Sequence, residues 1–183
     1  MEKMVNFLFL AFLFGCVSTE EKLYDYDVEK KIKELGYSLP SPATPVANYV
    51  STVSFSETKN TRLVYVSGTG PKTADGEYIK GRLGESLGVD EGYEAARITA
   101  INILASLKKE IGDLNKIKRF IKVIGMVNSS PDFVQQPAVI NGFSDFIVDV
   151  FGERGKHARS AVGMVSLPSG IAVEIEVVVE VKN

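Results

Sequence analysis

Three charged side chains near the C-terminus stand where a plain sheet would not place them. Arg159 opens the run Arg159-Ser160-Ala161-Val162-Gly163, directly after His157-Ala158. Glu174 and Glu176 then interrupt a strand pattern that is otherwise alanine, valine and isoleucine, Ala172 to Val179. Burying unpaired charge costs several kcal/mol, so these groups either reach solvent or serve a site. If they serve a site, the residue types suit small-acid chemistry. A guanidinium holds a carboxylate with two parallel hydrogen bonds, and a carboxylate can position and deprotonate water. From spacing alone the bland alternative stays open: an arginine at a strand start is a common surface charge, and Glu174 a solvated strand residue. Glu176 fits a structural or rim position, and His157 a solvent-facing one.

Composition narrows the remaining chemistry. The 183 residues include one cysteine and one histidine, so there is no internal disulfide framework and no cluster for a zinc site of sulfur or nitrogen ligands. No EF-hand or similar carboxylate loop is present either, so no metal site is expected. The formal net charge of −2 gives no global field for nucleic acid. Lys116, Lys118, Arg119 and Lys122 form a basic run, but Phe120 is its one stacking aromatic, so a solvated strand edge is the better reading. Gly68-Thr69-Gly70-Pro71-Lys72-Thr73 hints at a phosphate loop yet lacks the G-x-x-x-x-G-K spacing.

The elements that must position the charges follow from periodicity. Tyr49 to Phe55 alternates as a strand, Ser56–Thr61 turns, and Arg62 to Ser67 returns as its hairpin partner. Asp90 can cap a helix whose Tyr93, Ala96, Ala100, Ile103, Leu104, Leu107 and Ile111 share one face, with Gly112 stopping it. Lys116 to Val127 is a strand, apolar on both faces toward its end and so central. Pro137 to Phe151 is a second helix ended by Gly152. Arg159–Leu167 and Ile171–Val181 are expected to close the domain as a hairpin around Leu167-Pro168-Ser169-Gly170. With Glu174 then opposite about position 164, Arg159 would lie roughly 17 Å along the neighbouring strand, too far to act on one small molecule with Glu174. The two would have to come from different subunits.

This order gives an α+β domain of two layers: a mixed sheet with two helices on one face. The uncovered face carries Val178 and other apolar groups, so an oligomer packed through its sheets is expected.

The N-terminus differs in kind. Val5 to Val17 is nearly all apolar, too short to span a bilayer but the length of a signal-peptide core. Leu13-Phe14-Gly15-Cys16 resembles a bacterial lipoprotein cleavage box, with a bulky Phe14 and a weak basic start. Residues 1–16 are therefore expected to be a signal ending at a lipidated Cys16. Residues 17–38 would be a tether or short helix standing off the domain, and 39–183 the domain itself. The location expected is exported, lipid-anchored at the membrane, periplasmic or secreted, with a cytoplasmic protein as the alternative.

From Leu39 to Val181 the chain resembles the reactive intermediate deaminase family (Rid, or YjgF), formerly called endoribonuclease L-PSP. The marks are Tyr49, Tyr65-Val66-Ser67-Gly68, Asn141, His157-Ala158-Arg159-Ser160 and Val173-Glu174-Ile175-Glu176. The run from Asn141 to Glu153 before His-Ala-Arg-Ser-Ala-Val-Gly looks like a less studied branch of it. The resemblance implies a chorismate-mutase-like fold and a homotrimer with clefts between subunits. It implies hydrolysis of 2-imino or enamine acids to 2-oxo acids and ammonia, without cofactor. By position Arg159 would grip the substrate carboxylate and Glu174 would hold the attacking water. Tyr49, Ser67, Gly68, Asn141 and the backbone at Ala161 would shape the pocket. Thr69 stands where many members have glutamine, and Ala161 where cysteine is common. A non-catalytic module that binds small carboxylates, or an interaction module of the same fold, is the alternative, and ribonuclease activity a weaker one.

Overall fold

The structure is a computed structural model that describes residues 22–42, 44–45, 47–56 and 58–183. The signal peptide and Cys16 expected from the sequence lie outside the described residues. Among the described residues the α-helices and strands are, in chain order, α1 Val28–Glu34, β1 Thr52–Ser56, β2 Thr61–Thr69, α2 Val89–Ile111, β3 Ile117–Asn128, α3 Gln136–Phe151, β4 Ala158–Met164 and β5 Val173–Lys182. Among the described residues no helix is long and apolar enough to cross a membrane.

The five strands form one mixed sheet in the order β1-β2-β5-β3-β4. Neighbours are antiparallel except β3 and β4, which are parallel. α2 and α3 lie side by side on one face, as the two-layer α+β reading expects. Alternation decides which side chains face them. Phe120, Val123 and Val127 of β3, and Val173, Ile175, Val177, Val179 and Val181 of β5, are buried beneath the helices. Even-numbered neighbours such as Glu174, Glu176 and Val178 take the other face.

The expected closing hairpin is not formed. β3 lies between β4 and β5, so Arg159 and Glu174 belong to strands that never touch. The cause is the parallel β3–α3–β4 crossover, which needs a helix-long connection and sets β4 on the outer side of β3. β5 then pairs with the inner side, and the link between β4 and β5 rounds the end of β3. There the Ser129 N–H donates to the Met164 carbonyl (3.2 Å) and the Asn128 N–H to the Ala172 carbonyl (3.0 Å). β4 also stops at Met164, before Leu167. β3 is thus an interior strand, not the solvated edge suggested for its basic run. Lys118 pairs with Glu180 at 2.7 Å, and Lys122 donates to Ser160 Oγ at 3.0 Å.

α2 begins two residues earlier than a cap at Asp90 would give. Gly88 is its cap, and the Glu91 carboxylate reaches back to accept from the Gly88 N–H at 2.8 Å. α2 and α3 approach closely at Gly142, where a methyl group would overlap the backbone carbonyl of Tyr93.

The short helix of the 17–38 segment packs on the domain rather than standing off it. Asp27 caps α1 by accepting from the Lys30 N–H at 2.7 Å. Tyr24, Val28 and Ile32, four apart, are buried, with the Tyr24 ring edge-on to Phe151. The Tyr24 hydroxyl donates to the Ile117 carbonyl. Burial pushes that hydroxyl's pKa above its usual value.

Among the described residues no helix covers the sheet's second face. Val53, Tyr65, Val178 and Lys122 form one row across four strands, and Phe55 flanks it. Val53, Phe55, Tyr65 and Val162 are exposed.

Candidate functional site

The expected site residues form two groups in one protomer. The first is built on β4 and α3. Arg159 stands level with Val123 of β3, on the helix-covered face, and its side chain reaches α3. Asn141 and Ser144 are three apart and so share a helix face. Nη1 of Arg159 donates to Asn141 Oδ1 and to Ser144 Oγ, both at 2.9 Å, and Nη2 donates to the Pro137 carbonyl at 3.4 Å. Both Nη1 hydrogens are therefore committed to α3. The Nε side of the guanidinium, with the Nη2 hydrogen beside it, faces no described acceptor. That edge is the side-on fork that matches a carboxylate. Ala161, two positions along β4, lies on the same face and packs partly against the core.

Behind the arginine is a chain of hydrogen bonds that sequence reasoning missed. His157 Nδ1 lies 2.7 Å from the Gly155 carbonyl, which can only accept, so Nδ1 carries the proton. Nε2 then accepts from the Ser144 hydroxyl at 3.0 Å, and Ser144 Oγ accepts from Arg159. His157 is half-buried, its ring edge-on to Phe143, and does not face solvent as expected. Burial lowers its pKa; the Gly155 carbonyl opposes this, and the nearby Arg159 charge adds to it. A signal for this chain was present. His157 stands one residue before β4 and two before Arg159, and Asn141 and Ser144 are polar and three apart on α3.

The sign of its pH effect follows. An unfolded histidine takes up its proton near 6.5, before the folded one, so acidification through that value favours the unfolded chain. Between pH 7 and pH 5, wild-type protein should lose more Tm than His157→Gln, which keeps a bond to Ser144 and does not titrate. Equal losses by calorimetry would show that His157 is not a buried neutral group.

The second group gathers at the end of β2. A bulge lies between Val66 and Thr69, where β2 pairs β5. Ser67 ties it to the chain entering β1: its hydroxyl donates to the Val50 carbonyl at 2.7 Å, and its N–H to the Ser51 carbonyl at 2.9 Å. Gly68 then sits directly against Glu174, and a methyl group at Gly68 would overlap Glu174 Oε1. Burial raises the Glu174 pKa above the usual carboxylate range, and the Glu176 charge raises it further. Ser67, Gly68 and the half-exposed Tyr49 also line a cavity of about 630 Å³.

Register fixes the relation of the groups. Glu174 is level with Met126, Arg159 with Val123, and Val123 with Val177. The two residues are thus three positions apart along the sheet and two strands across it, about 14 Å between Cα atoms. Their side chains leave opposite faces. The separation expected from a hairpin rested on the wrong strand pairing, but the distance remains too long for one small ligand. Among the described residues, no three His, Cys, Asp or Glu side chains converge as a metal centre requires.

The family model "YjgF/chorismate mutase-like, putative endoribonuclease" matches residues 29–176. The chain belongs to this family. Protein TCP17 of Trypanosoma cruzi is 44% identical over 157 residues, covering 85% of this chain and 95% of that protein. The crystal structure of Atu1372 from Agrobacterium tumefaciens, a protein of unknown function, is 44% identical with a TM-score of 0.75, over 84% of this chain and 91% of that one. A crystal structure from Shewanella oneidensis, described as a putative endoribonuclease, is 27% identical with a TM-score of 0.80, over 85% of this chain and 100% of that one. The chorismate-mutase-like architecture is thus the family's, and the match begins inside α1.

Proposed function

We propose that the protein hydrolyses 2-imino or enamine acids to 2-oxo acids and ammonia, as a homotrimer with sites between protomers. The observation that carries this reading is the guanidinium of Arg159, held by α3 through Nη1 with its side-on fork left for a ligand. Each charge-assisted bond to a substrate carboxylate contributes about 1.5–3 kcal/mol, enough to orient a small acid. The neighbouring protomer supplies Glu174. Its raised pKa makes it a stronger base than an exposed carboxylate.

The imine carbon is electrophilic, more so when protonated. Glu174 takes a proton from water as the oxygen bonds to that carbon, giving a tetrahedral carbinolamine. Glu174 returns that proton to the amine nitrogen and takes the hydroxyl proton as the C–N bond breaks, so ammonia leaves and the C=O bond of the 2-oxo acid forms; the proton passes from Glu174 to solvent, where ammonia becomes ammonium. The apolar uncovered face, with Val53, Phe55, Tyr65 and Val162 exposed, is the surface through which protomers would pack.

Generating imines in situ with an amino-acid oxidase and following their loss tests the reading. Acceleration by the wild type that disappears in Arg159→Ala supports it. Saturable binding of 2-oxo acids without acceleration would support the small-carboxylate module instead. RNA cleavage that survives Arg159→Ala would point to another site.

Gly68→Ala separates position from fold. The added methyl meets the far end of a flexible side chain, so the carboxylate can swing away at little cost in stability. The expected result is an unchanged Tm with kcat lowered at least tenfold, because the base has left its place. Full kcat would show that Glu174 need not lie against Gly68.

A further inference from the structure

Resting on that reading, we propose that the preferred substrate is an imino acid with a bulky aromatic or apolar side chain, which lodges in the cavity beside Gly68. The cavity measures about 630 Å³. A three-carbon imino acid would leave most of it wet. The size lies instead within the roughly 300–1,000 Å³ of sites that enclose drug-sized ligands.

The walls mix apolar and aromatic side chains with hydroxyls, and several of the hydroxyls are already bonded: Ser67, Thr69, Thr73 and Ser106 donate to backbone carbonyls. Ile98 and Ile101 project from α2, and Tyr37, Tyr49 and Tyr78 contribute aromatic rings. Aromatic walls favour offset or edge-on contact with an aromatic guest. Asn102 is polar but occupied: its Nδ2 donates to the Gly70 carbonyl (3.2 Å) and the Lys72 carbonyl (3.0 Å), pinning the loop that forms one wall. Among the described lining residues the charged one, Lys72, is exposed at the rim.

Position links the cavity to the chemistry. Gly68 lies in its wall and also against the Glu174 carboxylate. A substrate carbon attacked beside Gly68 would carry its side chain into the space between α2 and the segment leading to β1.

The test compares imines made in situ from alanine, glutamate and phenylalanine. The expected result is a kcat/KM at least tenfold higher for the phenylalanine-derived imine than for the alanine-derived one. Ile98→Trp should lower that ratio tenfold or more. Thr44→Trp, on the exposed segment before β1, should act in the same direction if Ile98→Trp does not fold. Turnover of the small imine with no preference, or a ratio unmoved by either filling variant, overturns the cavity assignment and leaves imine hydrolysis standing. A preference for the glutamate-derived imine overturns it in favour of an acid held by Lys72. Calorimetry with phenylpyruvate and pyruvate gives a readout without turnover. Phenylpyruvate bound tightly and weakened by a filling variant, with no imine hydrolysed, would keep the cavity and sink the hydrolysis reading. Equal binding of the two oxo acids would sink the cavity.

Discussion

Arg159→Ala should lower kcat/KM for imine hydrolysis by about 10²–10⁴-fold. Two charge-assisted bonds at about 1.5–3 kcal/mol each would be lost, and an incompletely replaced carboxylate grip accounts for the lower end. Arg159→Lys is expected to recover little. The ammonium is a point charge on a flexible stem and cannot present two parallel donors, and it would also lose the paired bonds to Asn141 and Ser144. The loss should appear mainly in KM, because a ground-state anchor is removed. Removing Arg159 leaves Asn141 and Ser144 near solvent rather than in the core, so Tm should move little. A kcat/KM within threefold of wild type in Arg159→Ala, measured by the oxidase-coupled assay, would remove the anchor from the mechanism.

Glu174→Gln should have the complementary signature. The amide keeps the shape of the side chain but cannot take a proton from water, so kcat should fall by about 10²–10⁴-fold with KM changed less. The pH dependence follows from the cause of the pKa shift. Burial and the Glu176 charge hold the acid form of Glu174 to higher pH than usual. The acid limb of kcat/KM should therefore lie above the ordinary carboxylate range, with activity rising as pH rises through it. Glu176→Gln removes one of the two causes and should move that limb to lower pH. A limb that stays in place when Glu176 is neutralised would assign it to another group.

Much of the fold was legible because alternation and helical periodicity are local signals. Val173 to Val181 alternates in the sequence, and its odd positions are buried as that pattern requires. The α2 face was visible from its alanines and leucines. The strand order was not, because a turn-like Leu167-Pro168-Ser169-Gly170 carries no information about which strand lies between its flanks. The physical clue was β3 itself: a strand apolar on both faces needs a neighbour on each side, and β4 and β5 are those neighbours. The cap of α2 was misplaced because Asp90 is the better capping residue by type, whereas Glu91 made the Gly88 backbone sufficient. α1 was underread because its charges outweigh Tyr24, Val28 and Ile32 in composition, although their spacing marks a buried face.

The candidate site was legible as residue types but not as geometry. Arg159, Asn141 and Ala161 lie together on one face, and Tyr49, Ser67, Gly68 and Glu174 gather around a different edge of the sheet. Ser144 and His157 went unnoticed as supports because each bonds through side-chain chemistry that depends on α3 packing beside β4.

Mixing the two inactive variants tests the shared site most directly. Arg159→Ala and Glu174→Gln protomers are unfolded together, refolded as mixed assemblies, and assayed for imine hydrolysis at substrate well below the wild-type KM, where both parents are nearly inactive. If each site takes its guanidinium from one protomer and its carboxylate from the next, random mixing restores about one site in four, and activity should return to about a quarter of the wild-type value. Mixed assemblies that form but remain as inactive as their parents would contradict a site shared between protomers.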